Sequence, residues 1–463
     1  MFSAFKVVDI HMSFLLHFSD KKDSILIVKS QLSKKQKVFV GLSGGVDSSV
    51  SAALLKQVGY DVTGVFIKVW HLDADTRGLE RGLTRIKNES CCTASEDRLD
   101  AMRVCAKLDI PFVTLDLEKE YKREVVDYMI REYKAGRTPN PDVMCNKYVK
   151  FGAFFDWAMR QGADFVATGH YARINPQPTT YNLQPEKKKK LSVVSCKLLV
   201  SSDKDKDQSY FLWTLTQKQL SKTLFPVGNL IKKTEVRELA KKFDLITAGK
   251  KDSQGLCFIG KVDMKDFLKE FIKPKMGKVI DENGEIIGNH DGAVFLTIGE
   301  RHNFKITQKK AEQTRINPSI RAKLGTGHSA EKKPHIDQKP YYVVAKDLKK
   351  NTVTVSHKSP DGLLEQASKE CVIENVNWTL GVPPDLNKKY QARIRYRQPL
   401  QACWLTQIYA DQNADKRGSN QRQSASKSAS IRVVFDCSQN AITPGQSLVI
   451  YDGEVCLGGG VIM

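Results

Sequence analysis

Residues 41–49, GLSGGVDSS, have the side-chain types of an anion-binding turn. They lie where an apolar run changes to a helical pattern, so backbone N–H groups and the positive end of a helix dipole would face a bound phosphate. Asp47 could orient this turn or hold a magnesium ion. Three glycines permit close backbone approach and three serines offer hydroxyls: Gly41, Gly44, Gly45, Ser43, Ser48 and Ser49. The pattern is neither GxxxxGK[ST] nor GxGxxG, which disfavours an ordinary P-loop or a dinucleotide site.

Residues 135–152, AGRTPNPDVMCNKYVKFG, place a cysteine after a turn that two prolines hold extended. This turn presents Asn140, Asp142 and Cys145 ahead of a helix that we predict to begin near Lys150. A helix N-terminus and neighbouring lysines lower the pKa of a cysteine and favour its nucleophilic thiolate. Asp142 is a candidate proton carrier for this thiol. The alternative interpretation of Cys145 is an inert buried thiol.

A second cysteine, Cys257, occurs in KKDSQGLCFIG, a polar segment with flanking glycines. Lys250 and Lys251 are close to it in sequence, which again favours a thiolate. Two more segments carry polar groups where a ligand could bind. TGHYAR (168–173) follows a predicted strand end, the edge at which α/β sheets bind ligands, and KDQSYFLW (206–213) leads into an aromatic run.

The elements that position these segments alternate between strand and helix from residue 37 to about residue 174. Apolar runs rich in Val, Ile and Phe predict strands over 37–40, 61–70, 111–117 and 164–170. One helix is predicted over 47–58, with Val50, Leu54 and Val58 on its buried face. A capping-box pattern at Thr93 and Glu96 predicts another, which would bury Leu99, Met102 and Ala106. This alternation indicates an α/β fold with a parallel sheet covered on both faces.

The rest of the chain changes character. A helix is predicted over 234–243, and repeated short strands after residue 340 predict a small β-barrel. The predicted divisions are an extension at 1–36, the α/β domain at 37–225, a small central domain at 226–307, a polar connector at 308–340 and a C-terminal β-barrel at 341–463. A polar tract at 411–430 within the barrel is predicted to be a disordered loop, because it offers little to bury.

Composition narrows the class of protein. The 463 residues include 73 Lys and Arg against 52 Asp and Glu, a formal charge of +21 that favours a polyanionic partner such as nucleic acid. Ten dispersed cysteines without a CxxC pair argue against a disulfide scaffold or a zinc ribbon, and no dedicated metal-ligand set is predicted. No apolar run is long enough for a membrane helix. Residues 1–36 lack arginine, unlike a transit peptide, so we expect a cytoplasmic protein.

SGGVDS resembles the pyrophosphatase loop of the adenylating PP-loop ATP pyrophosphatase superfamily, which cleaves ATP between the α- and β-phosphates. The cysteine segments, together with RYRQ (395–398), TPGQS (443–447) and YDGEVCLGGGVI (451–462), resemble the bacterial and organellar tRNA-specific 2-thiouridylase family from about residue 37 to the C-terminus. The resemblance implies a Rossmann-like PP-loop domain, a central tRNA-binding domain and a C-terminal β-barrel.

The resemblance also implies roles for single residues. Positions of the ATP site are Gly41, Leu42, Ser43, Gly44, Gly45, Val46, Asp47, Ser48 and Gly169, with Ile67 on the adenine side where the family commonly has methionine. Target-base contacts fall on Asn140, Pro141 and Asp142. Cys145 is the first catalytic cysteine and Cys257 carries a persulfide. Contacts to tRNA fall on His170, Lys206, Asp207, Gln208, Arg395, Tyr396 and Gln446.

The implied reaction uses ATP and Mg²⁺ to adenylate the 2-oxygen of the wobble uridine in the tRNA anticodon stem-loop. A persulfide sulfur-carrier protein would load Cys257, and sulfur transfer would yield 2-thiouridine, AMP and pyrophosphate. Cys145 would release the sulfur by thiol–disulfide exchange, which leaves a Cys145–Cys257 disulfide.

Three alternatives stay open on the sequence alone. Another adenylating enzyme of the superfamily, making a small metabolite or lysidine, would need no second cysteine. A catalytically inactive tRNA-binding protein would need only the basic charge and the barrel. An iron–sulfur cluster could be held by Asp142, Cys145 and Cys257.

Overall fold

The structure is a computed structural model that describes residues 35–69, 91–175, 195–251, 264–307, 340–358, 368–408, 430–440 and 442–463. Cys257, almost all of the N-terminal extension and the tract 411–430 apart from Ser430 lie outside these residues. Within the described ranges, no helix combines the length and the apolar character that crossing a membrane requires.

A parallel sheet forms the centre of the N-terminal domain, as predicted, and it has five strands where the sequence predicted four. Its order is β3-β2-β1-β4-β7, and its first strand has the buried residues Val38, Phe39 and Val40 at its centre. Such continuous apolar runs are typical of strands covered on both faces. The strands are β1 Lys37–Leu42, β2 Asp61–Lys68, β3 Phe112–Asp116, β4 Phe165–Ala167 and β7 Thr223–Leu224.

Helix α1 spans Val46–Val58 and ends at Gly59, whose φ of 105° lies in the left-handed region that terminates helices. Its buried residues include Val50, as predicted, whereas Val58 is 55% exposed because it occupies the last turn. The prediction that Val58 lies on the buried face is therefore wrong.

Helix α2 spans Cys91–Lys107, so Thr93 lies inside the helix and the predicted capping box does not mark its start. The predicted buried face is also wrong, because Leu99 and Met102 are each 38% exposed and Ala106 is exposed. The helix buries Ala101, Val104 and Cys105 instead. The reason lies in β2, where a side chain at Gly64 would collide with the Cys105 Sγ atom. Close approach of helix to sheet therefore favours the small side chains Ala101 and Cys105, whereas Val104 packs in the cluster that contains Val46 and Val50 of α1.

The other helices are short, and several contain π-helical turns. The α-helices are α3 Glu118–Tyr121, α4 Asp127–Lys134, α5 Pro141–Met144, α6 Phe155–Arg160, α7 Gln217–Leu220, α8 Arg237–Lys242 and α9 Met264–Lys269. The π-helical segments are Lys122–Val126, Cys145–Phe154 and Lys232–Val236. Single 3₁₀ turns occur at Ser209–Phe211, Ile246–Gly249 and Ala293–Phe295.

A second five-stranded sheet, of order β10-β9-β8-β12-β11, forms the central domain. Its strands are β8 Gly277–Ile280, β9 Ile286–His290, β10 Phe304–Ile306, β11 Tyr342–Asp347 and β12 Thr352–Ser356. The prediction that places residues 341–356, now β11 and β12, in the C-terminal barrel is wrong, since β12 pairs in parallel with β8. The buried side chains of Val279, Val343 and Val353 share one core, a long-range contact that strand propensity alone does not specify.

The C-terminal strands form the predicted β-barrel. Six antiparallel strands run in the order β13-β16-β15-β14-β17-β18, and pairing of β13 with β18 closes the barrel. They are β13 Ser368–Trp378, β14 Tyr390–Arg393, β15 Gln401–Ile408, β16 Ser430–Gln439, β17 Ser447–Asp452 and β18 Val455–Ile462.

A hairpin from the N-terminal domain extends this barrel sheet. Strands β5 Ala172–Asn175 and β6 Lys197–Val200 pair with each other, and Leu199 of β6 lies opposite Val455 of β18. The Arg173 guanidinium also lies 2.6 Å from the Glu454 carboxylate. Buried Tyr210 and Trp213 share a hydrophobic cluster with Tyr451. The N-terminal domain and the barrel therefore have a common core.

Candidate ATP and thiol site

The loop between β1 and α1, residues 41–48, is termed the nucleotide loop. Its conformation is held by serine side chains: Ser48 Oγ accepts a 3.2 Å hydrogen bond from the Ser43 backbone N–H and donates to the Gly45 carbonyl at 3.2 Å. Ser49 Oγ donates to the same carbonyl at 2.8 Å. Gly45 precedes α1 in an extended conformation and has no side chain to cap the helix. The first N–H groups of α1 are therefore suited to bind an anion.

Two glycines let other backbone segments approach the nucleotide loop. Gly44 has a φ of 73°, and a Cβ atom there would collide with the backbone of Asp97 in α2. Gly169 follows β4, and a Cβ atom there would lie 2.7 Å from the Ser48 backbone nitrogen. The structure thus brings Gly169 to the nucleotide loop, beside the positions predicted to bind ATP.

The other predicted ATP positions are mostly buried. Leu42, Val46 and Ile67 are 3%, 4% and 5% exposed, respectively, and each belongs to a hydrophobic core cluster. Leu42 and Val46 would therefore meet a nucleotide through backbone atoms. The adenine-side contact of Ile67 stays a prediction.

Asp47 of the nucleotide loop has partners that the sequence did not reveal. Tyr171 donates its hydroxyl to Asp47 Oδ1 at 2.8 Å, and the Lys232 ammonium donates to Oδ2 at 2.8 Å. Tyr171 belongs to the TGHYAR segment, which the sequence predicts to lie at the ligand-binding edge of the sheet. Nothing in the sequence distinguishes Lys232 from its neighbour Lys233. Among the residues described, no cluster of three His, Cys, Asp or Glu side chains could hold a metal ion.

Cys145 lies inside a helix, which corrects the predicted start near Lys150. The helix begins at Pro141, where proline suits the first helical position, and Asn140 Oδ1 caps it by accepting from the Val143 backbone N–H at 3.3 Å. Cys145 follows one turn later and is 1% exposed. Asp142 is half-buried and three residues before Cys145, a spacing that places the two side chains on one helix face.

The barrel contacts the turn that leads into this helix. The Gln446 carboxamide donates to the carbonyls of Thr138 and Pro139 at 3.1 and 3.0 Å, and the Thr138 N–H donates to the Pro444 carbonyl at 2.8 Å. Gly445 has a φ of 91° and a Cβ atom there would lie 2.8 Å from the Thr138 carbonyl oxygen. Gln446, predicted to contact tRNA, therefore also holds the Cys145 turn against the barrel.

Two residues predicted to contact tRNA, His170 and Asp207, are packed within the protein. His170 lies between Phe151 and Phe225 and is 8% exposed, with its Nδ1 atom 2.7 Å from Thr168 Oγ1. Burial, with the charge of Lys150, holds the pKa of His170 well below its usual range, so the ring is neutral at pH 7.

Asp207 is 4% exposed and accepts the backbone N–H groups of Ser201 and Ser209 at 3.1 and 3.2 Å. Gln208 accepts the Tyr171 N–H at 2.9 Å, and Lys206 is half-buried. Asp207 and Gln208 thus shape the loop that carries Lys206. Their contacts to tRNA stay predictions.

Arg395 and Tyr396 line an open groove on the barrel. Tyr396 packs on Phe211, with 4.5 Å between ring centroids, and the Arg397 guanidinium lies 5.1 Å from the Tyr396 ring. Arg395 donates to the Asn440 carbonyl at 3.4 Å. The groove also includes Gln398, and its guanidinium groups and aromatic ring suit a nucleic-acid backbone and base. Asn146, next to Cys145, donates to the Phe211 carbonyl at 3.1 Å, which connects this groove to the thiol helix.

Lys250 precedes the part of the chain that contains Cys257. Its ammonium lies 2.6 Å from Asp97 Oδ1 and 2.6 Å from Asp100 Oδ2, so two carboxylates of α2 already compensate its charge. These carboxylates weaken the prediction that Lys250 favours a thiolate at Cys257. The structure does not describe Cys257, so the disulfide between Cys145 and Cys257 stays a prediction.

Sequence models of three families match the chain. They are described as the tRNA methyl transferase HUP domain over residues 36–261, the tRNA methyl transferase PRC-barrel domain over 265–357 and the aminomethyltransferase beta-barrel domain over 417–462. The second match spans β8 to β12, in agreement with their pairing in one sheet.

Curated relatives match almost the whole chain. The tRNA-specific 2-thiouridylase MnmA 2 of Geobacillus kaustophilus is 41% identical over 92% of this chain and 94% of its own length. The tRNA-specific 2-thiouridylase MnmA of Hydrogenovibrio crunogenus is 42% identical over 92% and 93%, respectively. That of Francisella tularensis subsp. novicida is 40% identical over 93% of this chain and its own full length. Identity at this level over nearly complete chains, on a fold with a nucleotide loop and a C-terminal barrel, shows that the chain belongs to the tRNA-specific 2-thiouridylase family.

Proposed function

We propose that this chain is a tRNA 2-thiouridylase, which uses ATP to replace the 2-oxygen of the wobble uridine with sulfur. The observation that carries this proposal is the nucleotide loop. The N–H groups at the start of α1 have no side-chain cap, the Ser43 and Ser48 hydroxyls lie 3.3 Å apart, and the backbone of Gly169 lies close to Ser48. The names of the curated relatives support the same reaction.

Adenylation is the chemical reason for the ATP site. Direct sulfur attack on the uridine carbonyl would have to expel oxide, a very poor leaving group. Attack of the 2-oxygen on the α-phosphate of ATP forms an O–P bond and releases pyrophosphate, so that AMP becomes the later leaving group. The N–H groups at the α1 terminus would stabilise negative charge on the phosphates. Mg²⁺, which we also propose, would supply further charge neutralisation when bound.

Sulfur transfer would then use two thiols. A persulfide on Cys257, loaded by a sulfur-carrier protein, attacks C2 of the adenylated base and expels AMP. The Cys145 thiolate attacks the Cys257 sulfur, breaks the base-linked disulfide and leaves a Cys145–Cys257 disulfide. Alternatively, Cys145 first liberates hydrosulfide from the persulfide, and hydrosulfide attacks the base. An external thiol reductant restores both cysteines in either route.

The target base would lie near the N-terminus of the Cys145 helix, where Asn140, Pro141 and Asp142 precede the thiol. The barrel contact through Gln446 supports this placement, because it connects the barrel surface that we propose to bind RNA to the turn before Cys145. We further propose that the enzyme works in the cytoplasm on the anticodon stem-loop of tRNA.

ATP should be cleaved to AMP and pyrophosphate in a tRNA-dependent manner, because adenylation breaks the bond between the α- and β-phosphates. Chromatography of nucleotide labelled at the α-phosphate would measure this. Release of ADP and phosphate would contradict the adenylation step.

The overall proposal is tested by mass spectrometry of nucleosides from unmodified tRNA after incubation with the chain, ATP and a persulfide donor. We expect 2-thiouridine or its derivatives. A methylated nucleoside formed from a methyl donor would instead favour the activity named in the HUP-domain description. Lysidine, or AMP formation without tRNA, would favour another adenylating enzyme.

Arg395→Ala should weaken tRNA binding and reduce the slope of log Kobs against log salt by about one unit, because a phosphate-contacting arginine releases about one counterion. Fluorescence anisotropy with labelled tRNA at several salt concentrations measures both effects.

Arg432→Ala is a matched control, because Arg432 is a half-exposed guanidinium on the same barrel, 3.8 Å from Glu370. It should leave the slope close to wild type. An unchanged slope for Arg395→Ala would count against the groove as an RNA-binding surface.

A further inference from the structure

Asp47 is the only acidic residue of the nucleotide loop, and both of its carboxylate oxygens have protein partners. Oδ1 accepts from the Tyr171 hydroxyl and Oδ2 from the Lys232 ammonium, each at 2.8 Å. We propose that Lys232 is a positioning residue that competes with magnesium for the Asp47 carboxylate, and so sets the magnesium concentration at which the protein binds ATP tightly.

Neighbouring residues fix both the backbone and the side chain of Lys232. Its N–H donates to Asp203 Oδ2 at 2.9 Å, and Asp203 itself is buried. The Lys232 side chain is only 8% exposed, and its ammonium lies 5.8 Å from the Tyr171 ring centroid. An ammonium in such a position is a fixed cation beside Asp47, unlike an exposed lysine that exchanges freely with water.

The Asp47 carboxylate is the group most suited to a hard cation in this loop, because Mg²⁺ prefers carboxylate oxygen ligands. A metal ion that binds Oδ2 must displace the Lys232 ammonium or share the oxygen with it, and two cations repel each other at that separation. Removal of the ammonium would leave the partly buried Asp47 carboxylate with one side-chain partner among the described residues, the Tyr171 hydroxyl. That carboxylate would then bind a divalent ion more readily.

The test is the binding of a fluorescent, non-hydrolysable ATP analogue to the full-length protein across a series of free Mg²⁺ concentrations. In wild type, the Kd for the analogue should fall as magnesium rises. In Lys232→Met, which removes the charge and keeps the chain length close, the midpoint of this fall should move to lower magnesium by on the order of tenfold. Lys232→Gln, which keeps a hydrogen-bond donor, serves the same purpose if the methionine variant does not fold.

Lys241→Met is the matched control, since Lys241 is an exposed residue of α8 and its replacement changes the net charge equally. Its midpoint should equal that of wild type. Tyr171→Phe keeps the ion pair and removes the other hydrogen bond, so its midpoint should move less than that of Lys232→Met. Thermal unfolding measures the stability of each variant. A purely structural role of Lys232 would lower this stability without moving the magnesium midpoint.

A midpoint for both charge-removing variants within twofold of wild type, or at higher magnesium, would overturn the proposal. This inference rests on the proposed use of magnesium with ATP, and the two can fail separately. If magnesium does not change the Kd of the analogue in wild type, the magnesium proposal itself is wrong. If magnesium acts on wild type but Lys232 variants behave like Lys241→Met, only the competition is wrong.

Discussion

Replacing Cys257 with serine should prevent the protein from accepting labelled sulfur from a persulfide donor, whereas replacing Cys145 with serine should preserve acceptance and then stop the reaction. Both changes should reduce 2-thiouridine formation by on the order of a thousandfold or more, because each removes a nucleophile whose step has no substitute. Both variants should still adenylate tRNA, since the nucleotide loop is unchanged. Radiolabelled sulfur on the protein and thiolated nucleoside in the tRNA measure the two steps.

Cys437→Ser is the matched control, because Cys437 is an exposed cysteine of the barrel outside the site. It should thiolate tRNA like wild type. Full thiolation by either the Cys145 or the Cys257 variant would remove support for the two-thiol mechanism.

Burial of Cys145 adds a structural condition to this mechanism. Its side chain is 1% exposed, so a reagent from solvent reaches the thiol only after it is uncovered, and a disulfide with Cys257 requires their Cα atoms to approach within about 7 Å. In the protein without tRNA, iodoacetamide should therefore label Cys437 faster than Cys145. A Cys145–Cys257 disulfide should appear after turnover without reductant.

Gly44→Ala should abolish tight ATP binding while tRNA binding persists. A methyl group at Gly44 would collide with the Asp97 backbone, and α2 cannot yield without moving its packing on β2. The φ of 73° adds about 1–2 kcal/mol of backbone strain for any residue with a Cβ atom. Binding of a fluorescent ATP analogue and of labelled tRNA would measure the two functions independently.

Gly162→Ala is the control that separates backbone strain from the collision with Asp97. Gly162 has a similar φ of 78°, but nothing lies within 4 Å of a Cβ atom there. This variant should lose stability by about the strain alone and should bind ATP like wild type. Tight ATP binding by Gly44→Ala would show that the close contact with Asp97 does not control the loop.

The sequence specified the nucleotide loop well because its determinants are local. Serine hydroxyls and glycine backbones a few residues apart bond to one another, and the strand-to-helix change fixes the direction of the N–H groups. Gly169 was assigned to the ATP site through the family resemblance, and the parallel pairing of β1 with β4 explains why it lies beside the loop, since the carboxyl ends of neighbouring parallel strands share one edge.

The partners of Asp47 could not be predicted in the same way. Lys232 is 185 residues from Asp47 along the chain, and its neighbour Lys233 is exposed although the two have the same residue type. Likewise, burial of Asp207 depends on the backbone N–H groups that surround it, which only the folded loop provides. The face of α2 was predicted wrongly because the side that packs depends on other elements, such as Gly64 of β2, which lets Cys105 approach the sheet closely.

The shared core of the N-terminal domain and the barrel has a consequence for folding cooperativity. Trp213 donates its indole N–H to Ser447 Oγ at 3.1 Å, and Asn377 of the barrel donates to the Trp213 carbonyl at 2.7 Å. Each half would expose buried aromatic surface and unsatisfied polar groups if the other unfolded. We therefore expect loss of the barrel to destabilise the nucleotide-binding domain, and the two halves to unfold as one cooperative unit.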